Sequence, residues 1–103
     1  MEEALKYIES SYCDPITVQD IADYLSINRS YLSRLFKALT GISIQDYLLD
    51  YRIRQACILL KSTDLSIRTI AHSVSYVDAL YFSRLFRQKK GMTPSEYRGM
   101  EIH

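Results

Sequence analysis

Apolar residues recur at intervals of three and four along most of this 103-residue chain. This spacing is typical of one face of an α-helix. In residues 3–12, for example, it places Leu5, Ile8 and Tyr12 on the same side. No segment has the alternating pattern of a strand, so the hydrophobic pattern predicts an all-α fold.

Capping signals divide this pattern into seven predicted helices. Thr17 and Asp20 have the spacing of a capping box, and Thr93 and Glu96 repeat it with a proline at the first helical position. Side chains suited to N-caps precede other helices, and glycines suited to left-handed C-caps follow two of them. The further N-caps are Asn28, Ser43 and Ser66, and the C-caps are Gly41 and Gly91. The predicted helices are 3–12, 18–25, 29–40, 44–62, 67–74, 78 or 79–90, and a short one from residue 94.

The chain repeats itself. Ile21-Ala22 matches Ile70-Ala71, and the run from Tyr31 to Lys37 matches the run from Tyr81 to Arg87. The offset is 49 residues before the turn and 50 after it, so the second copy has one extra residue there. Each copy has the layout of a helix-turn-helix unit. We expect one domain, residues 1–103, with helix-turn-helix subdomains at 1–43 and 63–103 and a linker helix at 44–62.

One turn position fits this layout poorly. Ser26 and Ser75 occupy a site where a left-handed residue, usually glycine, is expected. A non-glycine residue costs about 1–2 kcal/mol in that conformation. Either the turn differs slightly or the protein tolerates the strain.

The second helix of each copy has an inner and an outer face. Its inner face follows the core spacing, with Leu32, Leu35, Phe36 and Leu39 in the first copy. In the second copy, Phe82, Leu85 and Phe86 point inward. The outer residues are Arg29, Ser30, Ser33, Arg34 and Lys37 in the first copy and Ala79, Leu80, Ser83, Arg84 and Arg87 in the second.

Charge becomes informative when it is counted by segment. The whole chain has 13 basic and 12 acidic residues, and its net charge of +1 gives no sign of a nucleic-acid partner. However, residues 28–40 carry +3 and residues 79–91 carry +4, with no acidic residue in either segment. One basic helix is a common solvated surface. The same exclusion of acids in both copies favours binding of DNA, because this helix reads the major groove in the motif.

The predicted linker helix has a suitable length for joint binding. Its 19 residues span about 28 Å at 1.5 Å per residue. Successive major-groove faces of B-DNA lie about 34 Å apart. A straight linker would let one chain place both basic helices in adjacent major grooves, and a bend would weaken this expectation.

Particular motifs resemble the DNA-binding domain of the AraC/XylS family of bacterial transcription regulators. The resemblance spans residues 3–98, and Ser75 and Leu80 depart from it, since glycine and a small polar residue are usual there. The segment 76–80 is similar to regulators of sugar-uptake operons in Gram-positive bacteria. The resemblance implies a transcription activator in the cytoplasm, associated with the nucleoid, whose partners are double-stranded DNA and RNA polymerase. The motifs are Arg52-x3-Ala56-x2-Leu59-Leu60 and Ile70-Ala71-x2-Val74-Ser75-Tyr76-x-Asp78-x2-Tyr81-Phe82-Ser83-Arg84-x-Phe86-Arg87-x3-Gly91-Met92-Thr93-Pro94-x2-Tyr97-Arg98.

The family's base-reading positions carry over to outer residues of both basic helices. Arg34 and Arg84 suit guanine, because a guanidinium can donate two hydrogen bonds to O6 and N7, although a phosphate contact is the alternative for each. Ala79 and Leu80 suit a thymine methyl group, unless Leu80 packs at the start of its helix. The base-reading candidates are Ser30, Ser33, Arg34, Leu80, Ser83 and Arg84. The phosphate candidates are Arg29, Lys37, Arg87, Lys89 and Lys90, with Ser43 and Thr93 at helix N-termini that offer backbone amides.

Other functions find less support in the sequence. His72 has no catalytic partner at a suitable spacing and is interpreted as a surface or capping residue, so no enzymatic activity, cofactor or metal site is expected. The nine tyrosines leave a protein-interaction module as the alternative. A single-strand binder needs exposed aromatic residues beside the basic ones, and none is expected on the two basic faces. The tyrosines interpreted as core-facing or motif residues are Tyr47, Tyr51, Tyr76, Tyr81 and Tyr97.

Two expectations concern the rest of the protein. No segment has the length and apolarity of a membrane span, so no membrane partner is expected. Members of the resembled family usually carry a separate sensing domain, through which a homodimer would form. We expect either a stand-alone regulator or a C-terminal domain cut from a longer protein.

Overall fold

The computed structural model describes residues 1–100, and these form seven α-helices with no strand among them. The all-α prediction is confirmed, and the predicted boundaries agree to within one residue. The first helix begins and ends one residue early, and the fifth ends at Ser73 with Val74 as its C-cap. The helices are α1 (Glu2–Ser11), α2 (Val18–Leu25), α3 (Arg29–Thr40), α4 (Ile44–Ser62), α5 (Ile67–Ser73), α6 (Ala79–Lys90) and α7 (Pro94–Gly99). None of them is long and apolar enough to cross a membrane.

Side-chain caps set these boundaries. The Thr17 hydroxyl accepts a hydrogen bond from the Asp20 backbone N–H at 3.1 Å, and the Asp20 carboxylate accepts one from the Thr17 N–H at 2.8 Å. Asn28 and Asp78 are equivalent caps of α3 and α6, because each side-chain oxygen accepts hydrogen bonds from two backbone N–H groups of the helix that follows. Gly41 and Gly91 end the same two helices with φ values of 84° and 75°. The predicted caps Thr17, Asn28, Gly41 and Gly91 are confirmed, whereas the capping role of Asp78 was not predicted.

The chain divides into two compact units, one from Met1 to Tyr51 and one that begins at Arg52. The division falls inside α4, so this helix contributes residues to both cores. In the first unit, Ile44 and Leu48 of α4 join the buried residues of α1, α2 and α3. In the second unit, Ile53, Ala56 and Leu60 of α4 are buried.

Corresponding aromatic pairs occur in the two units. The ring of Phe36 meets Tyr47 edge to face at 5.6 Å and 76°, and Phe86 meets Tyr97 at 5.6 Å and 72°. The sequence repeat is therefore also a repeat of packing. It makes the first turn of α4 the counterpart of α7.

Arg52 and Tyr76 form a buried polar contact in the second unit. Arg52 is 9% exposed, and its guanidinium carbon lies 5.5 Å from the centroid of the Tyr76 ring. Burial raises the pKa of the Tyr76 hydroxyl, and a hydrogen bond with Arg52 partly opposes that rise. The Tyr76 ring also lies 5.7 Å from that of Phe82, so it links α4 to α6.

Basic side chains join α4 to α7 in the same unit. Arg98 donates hydrogen bonds to the carbonyl oxygens of Leu60 and Thr63, at 3.1 and 3.2 Å. In return, Lys61 donates to the carbonyl oxygens of Arg98 and Met100. Each helix thus has its terminal carbonyl groups bound by a cation from the other.

The turns at Ser26 and Ser75 have the strained backbone conformation. Ser26 has φ 56° and ψ 40°, and Ser75 has φ 80°, so both serines adopt the left-handed conformation. The Ile27 N–H donates to the Ala22 carbonyl at 3.0 Å, and the Tyr76 N–H donates to the Ala71 carbonyl at 2.8 Å. Of the two alternatives open in the sequence, the turn therefore keeps its usual geometry and tolerates the strain.

The inward assignment of Leu39 is wrong, and Tyr81, which was interpreted as a core-facing or motif residue, is exposed. Leu39 is 63% exposed, because it lies in the last turn of α3, beyond Phe36, and is not packed against the core of the first unit. Tyr81 is 48% exposed, because it lies one residue, or about 100° of helix, from the buried Phe82.

Candidate nucleic-acid interface

Helix α3 presents a polar, basic outer face. Arg29, Ser30, Arg34 and Lys37 are exposed, and Ser33 is half-buried. The opposite face buries Leu32 and Phe36 completely. The core residues therefore fix the rotation of the helix and turn the predicted base-reading side chains outward.

A shallow depression of about 420 Å³ lies beside this face. Its lining brings the predicted base-reading residues Ser33 and Arg34 together with the predicted phosphate residues Lys37 and Ser43, and Ala38 completes it. Groups that could contact a base edge and groups that could contact the backbone therefore share one surface.

Helix α6 presents the corresponding face of the second unit. Leu80 is 77% exposed, so the alternative in which it packs at the start of the helix is excluded. Arg84 and Arg87 follow it at intervals of four and three residues and are exposed, as are Lys89 and Lys90. Ala79 and Ser83 are half-buried, because they border Phe82 and Phe86, which are fully buried.

Arg34 and Arg84 occupy equivalent positions in the two units. Within residues 1–100, neither guanidinium takes part in a hydrogen bond or ion pair. An exposed guanidinium without a partner keeps all five N–H donors available to a ligand. A planar array of donors of this kind suits the two acceptors of guanine or the oxygens of a phosphate.

The two helix N-termini predicted to offer amides differ. Ser43 caps α4 by accepting a hydrogen bond from the Asp46 N–H at 3.1 Å, and the amides of Ile44 and Gln45 in the first turn have no intrahelical acceptor. At Thr93 the expectation of a free amide is wrong. Its N–H donates to the Glu96 carboxylate at 2.9 Å, and the next residue, Pro94, has no N–H.

Glu96 also changes the charge near this terminus. Its pKa lies below the ordinary value, mainly because it accepts hydrogen bonds from the Thr93 backbone and side chain and also because of the charge of Arg87. The carboxylate is therefore ionised at neutral pH. It repels a phosphate, so the hydroxyl of Thr93 is a weaker candidate contact than that of Ser43.

Two tyrosines on these surfaces are exposed, which the sequence interpretation did not predict. Tyr31 is 51% exposed and Tyr81 is 48% exposed, and they occupy equivalent positions on α3 and α6. The expectation that the basic faces carry no exposed aromatic residue is wrong. The signal was present in the sequence, because each tyrosine immediately precedes a core residue and so lies to the side of the buried stripe.

His72 lies at the turn of the second unit. Its Nε2 atom is 3.1 Å from the carbonyl oxygen of Val77, the residue that precedes the cap of α6. The side chain is exposed. The interpretation of His72 as a surface or capping residue is confirmed.

Comparison with known proteins identifies the family to which this chain is similar. Residues 21–100 match the family described as a helix-turn-helix domain. The arabinose operon regulatory protein of Escherichia coli is 37% identical over 99 residues, which cover 95% of this chain and 34% of that protein. The chain spans about a third of the length of the curated relatives that it matches.

Solved structures agree with this assignment. The C-terminal domain of the two-component response regulator YesN from Fusobacterium nucleatum is 38% identical, with a TM-score of 0.92 over 94% of this chain and 95% of that one. The DNA-binding domain of AdpA, a global transcriptional factor solved in complex with a target DNA, is 25% identical, with a TM-score of 0.90 over 94% of this chain and 87% of that one. This chain belongs to the AraC family of helix-turn-helix DNA-binding transcription regulators.

Proposed function

We propose that each unit inserts its second helix, α3 or α6, into a major groove of double-stranded DNA and reads a specific sequence there. One observation carries this proposal. The outer faces of these two equivalent helices contain no acidic residue, and each exposes at the same position an arginine that has no partner within residues 1–100. In this motif, that helix contacts base edges.

Base reading falls first to Arg34 and Arg84. Each can donate two hydrogen bonds to guanine O6 and N7, a contact that contributes about 1–3 kcal/mol of discrimination. The serines can donate or accept, so they discriminate weakly. The proposed base-reading residues are Ser30, Ser33, Arg34, Leu80, Ser83 and Arg84.

Phosphate contacts set the register of the protein on the duplex. The exposed cations that flank the readers suit this role, as does the N-terminus of α4 at Ser43. Thr93 contributes at most its hydroxyl, for the reason given above. The proposed phosphate-contacting residues are Arg29, Lys37, Ser43, Arg87, Lys89, Lys90 and Thr93.

The regulatory role extends beyond this domain. We propose a cytoplasmic activator, associated with the nucleoid, that contacts RNA polymerase and controls a sugar operon. Support comes from the relative that is named for the arabinose operon. Dimerisation belongs in this proposal to a separate sensing domain, and no catalytic role is assigned to any residue.

The test begins with selection of a preferred duplex from a random-sequence pool. Binding of this duplex is then measured between 50 and 200 mM salt. We expect log K to fall with log salt with a slope of about −5. The five proposed phosphate-contacting cations would each neutralise one phosphate, and each neutralised phosphate contributes about −0.9. A scrambled duplex should bind at least a hundredfold more weakly.

Conservative variants separate base reading from charge. In Arg34→Lys and Arg84→Lys the charge remains but the two-pronged donor is lost. We expect the salt slope to stay within one unit and discrimination at one guanine to fall about tenfold in each. Lys6→Ala, which removes an exposed cation from α1, is the control for charge. Selection of no preferred duplex, or full discrimination in both lysine variants, would contradict direct reading by these helices.

A further inference from the structure

The second unit has one more residue in its turn than the first, and the structure identifies that residue. Ile27 and Tyr76 make the same backbone hydrogen bond, to Ala22 and Ala71 respectively. The next residue of the first unit is already the cap of its helix, Asn28, whereas in the second unit the cap Asp78 comes one residue later. Val77 therefore has no counterpart in the first unit.

The backbone of Val77 has a hydrogen-bonding partner, but its side chain is not packed. His72 lies within hydrogen-bond distance of its carbonyl oxygen, at 3.1 Å, whereas the residue as a whole is 89% exposed. An apolar residue before a helix cap commonly packs on the fourth residue of the helix, which here is Phe82. The Tyr76 ring contacts Phe82 instead and leaves Val77 at the surface.

Leu80 is a second exposed aliphatic residue at the same end of α6. It is 77% exposed, and it shares a helix face with Ser83 and Arg84, three and four residues later. The equivalent residue of the first unit is Ser30, which is polar. The N-terminal ends of the outer faces of α3 and α6 therefore differ in polarity, because only that of α6 exposes aliphatic side chains.

The major groove offers one apolar group to such side chains, the C5-methyl group of thymine. We propose that Val77 and Leu80 form a methyl-reading surface that makes the half of the DNA site bound by the second unit dependent on thymine methyl groups. This inference rests on the proposed function, because it requires α6 to lie in the major groove.

Uracil substitution tests it directly, since uracil differs from thymine only by the missing methyl group. The probes are copies of the selected duplex in which each thymine in turn is replaced by uracil. For the parent protein we expect replacement at one or two thymines, all in one half of the site, to weaken binding about three- to fivefold, the effect of burying one methyl group. No loss at any thymine would overturn the proposal.

Variants of Val77 and Leu80 test whether these residues cause the weaker binding of the uracil duplex. In Leu80→Ser, which places the first unit's residue type in the second, we expect the thymine and uracil duplexes to bind equally at the sensitive position. Val77→Ser should reduce the ratio at the same thymine or its neighbour. Ile58→Ser removes another exposed aliphatic side chain, 55% exposed on α4, and should keep the parent's ratio. A parent-like ratio in both Leu80→Ser and Val77→Ser would overturn the assignment.

The outcomes also separate this inference from the function on which it depends. A parent protein that selects a duplex with a steep salt slope but ignores uracil retains the proposed function and loses only the methyl reading. Unchanged DNA binding by Leu80→Ser, together with a loss of transcription activation, would assign the patch to a protein partner and overturn the inference. Circular dichroism melting curves confirm that each variant is folded.

Discussion

Two serines adopt a backbone conformation that the rest of the fold imposes on them. Ser26 and Ser75 lie in the left-handed region, where glycine is strain-free and other residues cost about 1–2 kcal/mol. Both turns are closed by a backbone hydrogen bond across the serine, from Ile27 in one unit and Tyr76 in the other. The helix packing of each unit therefore outweighs a local preference of the chain.

Replacing either serine with glycine should stabilise the protein. For Ser26→Gly or Ser75→Gly we expect the free energy of unfolding to rise by up to about 1 kcal/mol, because relief of strain exceeds the extra entropy of glycine in the unfolded chain. Urea titration followed by circular dichroism measures this change. The control is Ser10→Gly within α1, where the backbone is helical, and a loss of about 0.5 kcal/mol is expected there. Destabilisation by both turn variants would contradict the assignment of strain.

At the scale of the element, capping residues predict where helices begin and end better than hydrophobic periodicity predicts which of their side chains are buried. The starts of α2, α3 and α4 and the end of α3 follow from short-range chemistry, namely an oxygen acceptor before the helix or a glycine after it, and the sequence was sufficient. The exposure of Leu39 depends on whether other elements cover the last turn of α3, and the spacing along one helix does not contain that information. The bond between Thr93 and Glu96 was visible as a motif, but its consequence for phosphate binding required the geometry.

The contacts between α4 and α7 predict a stabilising role for Arg98. We expect Arg98→Met to lower the free energy of unfolding of the second unit by about 2 kcal/mol, because two charge-assisted hydrogen bonds to carbonyl groups are lost. Urea titration measures this value. Arg68→Met, which changes an exposed arginine of α5, should stay within about 0.5 kcal/mol of the parent. Equal effects of the two variants would show that the Arg98 contacts do not stabilise the unit.

The capping box of α7 predicts a pH dependence. The pKa of Glu96 is lower in the folded protein than in the unfolded chain, so its contribution to stability is present above the ordinary glutamate range and is lost as pH falls through the lowered pKa. We expect the parent to melt at a higher temperature than Glu96→Gln at pH 7, and the difference to shrink from pH 5 to pH 3. Thermal melting followed by circular dichroism provides the comparison, with Glu9→Gln in α1 as the control. A difference that does not vary with pH would contradict a role for the ionised carboxylate.

At the scale of the whole molecule, a net charge of +1 conceals a strong segregation of charge. Two helices carry seven of the 13 basic residues and no acidic residue, while α1 and α2 are acidic. Segregation of this kind attracts a polyanion to the two basic helices without making the rest of the surface attractive to it. The sequence was sufficient for this conclusion, because it depends only on which residues share a helix and on a repeat that shows the same pattern twice.

Reading by both units predicts a strict spacing of the DNA site. If α3 and α6 contact one face of a duplex, five base pairs inserted between their half-sites turn one half-site to the opposite face. We expect affinity for the selected duplex to fall at least tenfold, as measured by fluorescence anisotropy. The same five base pairs added outside the site form the control and should change little. Undiminished binding to the spaced duplex would show that one unit suffices.

The extra residue in the second turn shows that the helix-turn-helix unit accepts a change of chain length at this point. Val77 is accommodated while the cap, the left-handed serine and the backbone hydrogen bond of the turn all persist. A change of chain length at this point therefore alters what the domain presents beside α6 while the cap and the geometry of the turn are kept. Diversification by insertion and deletion, and not by substitution alone, is open to lineages that carry this fold.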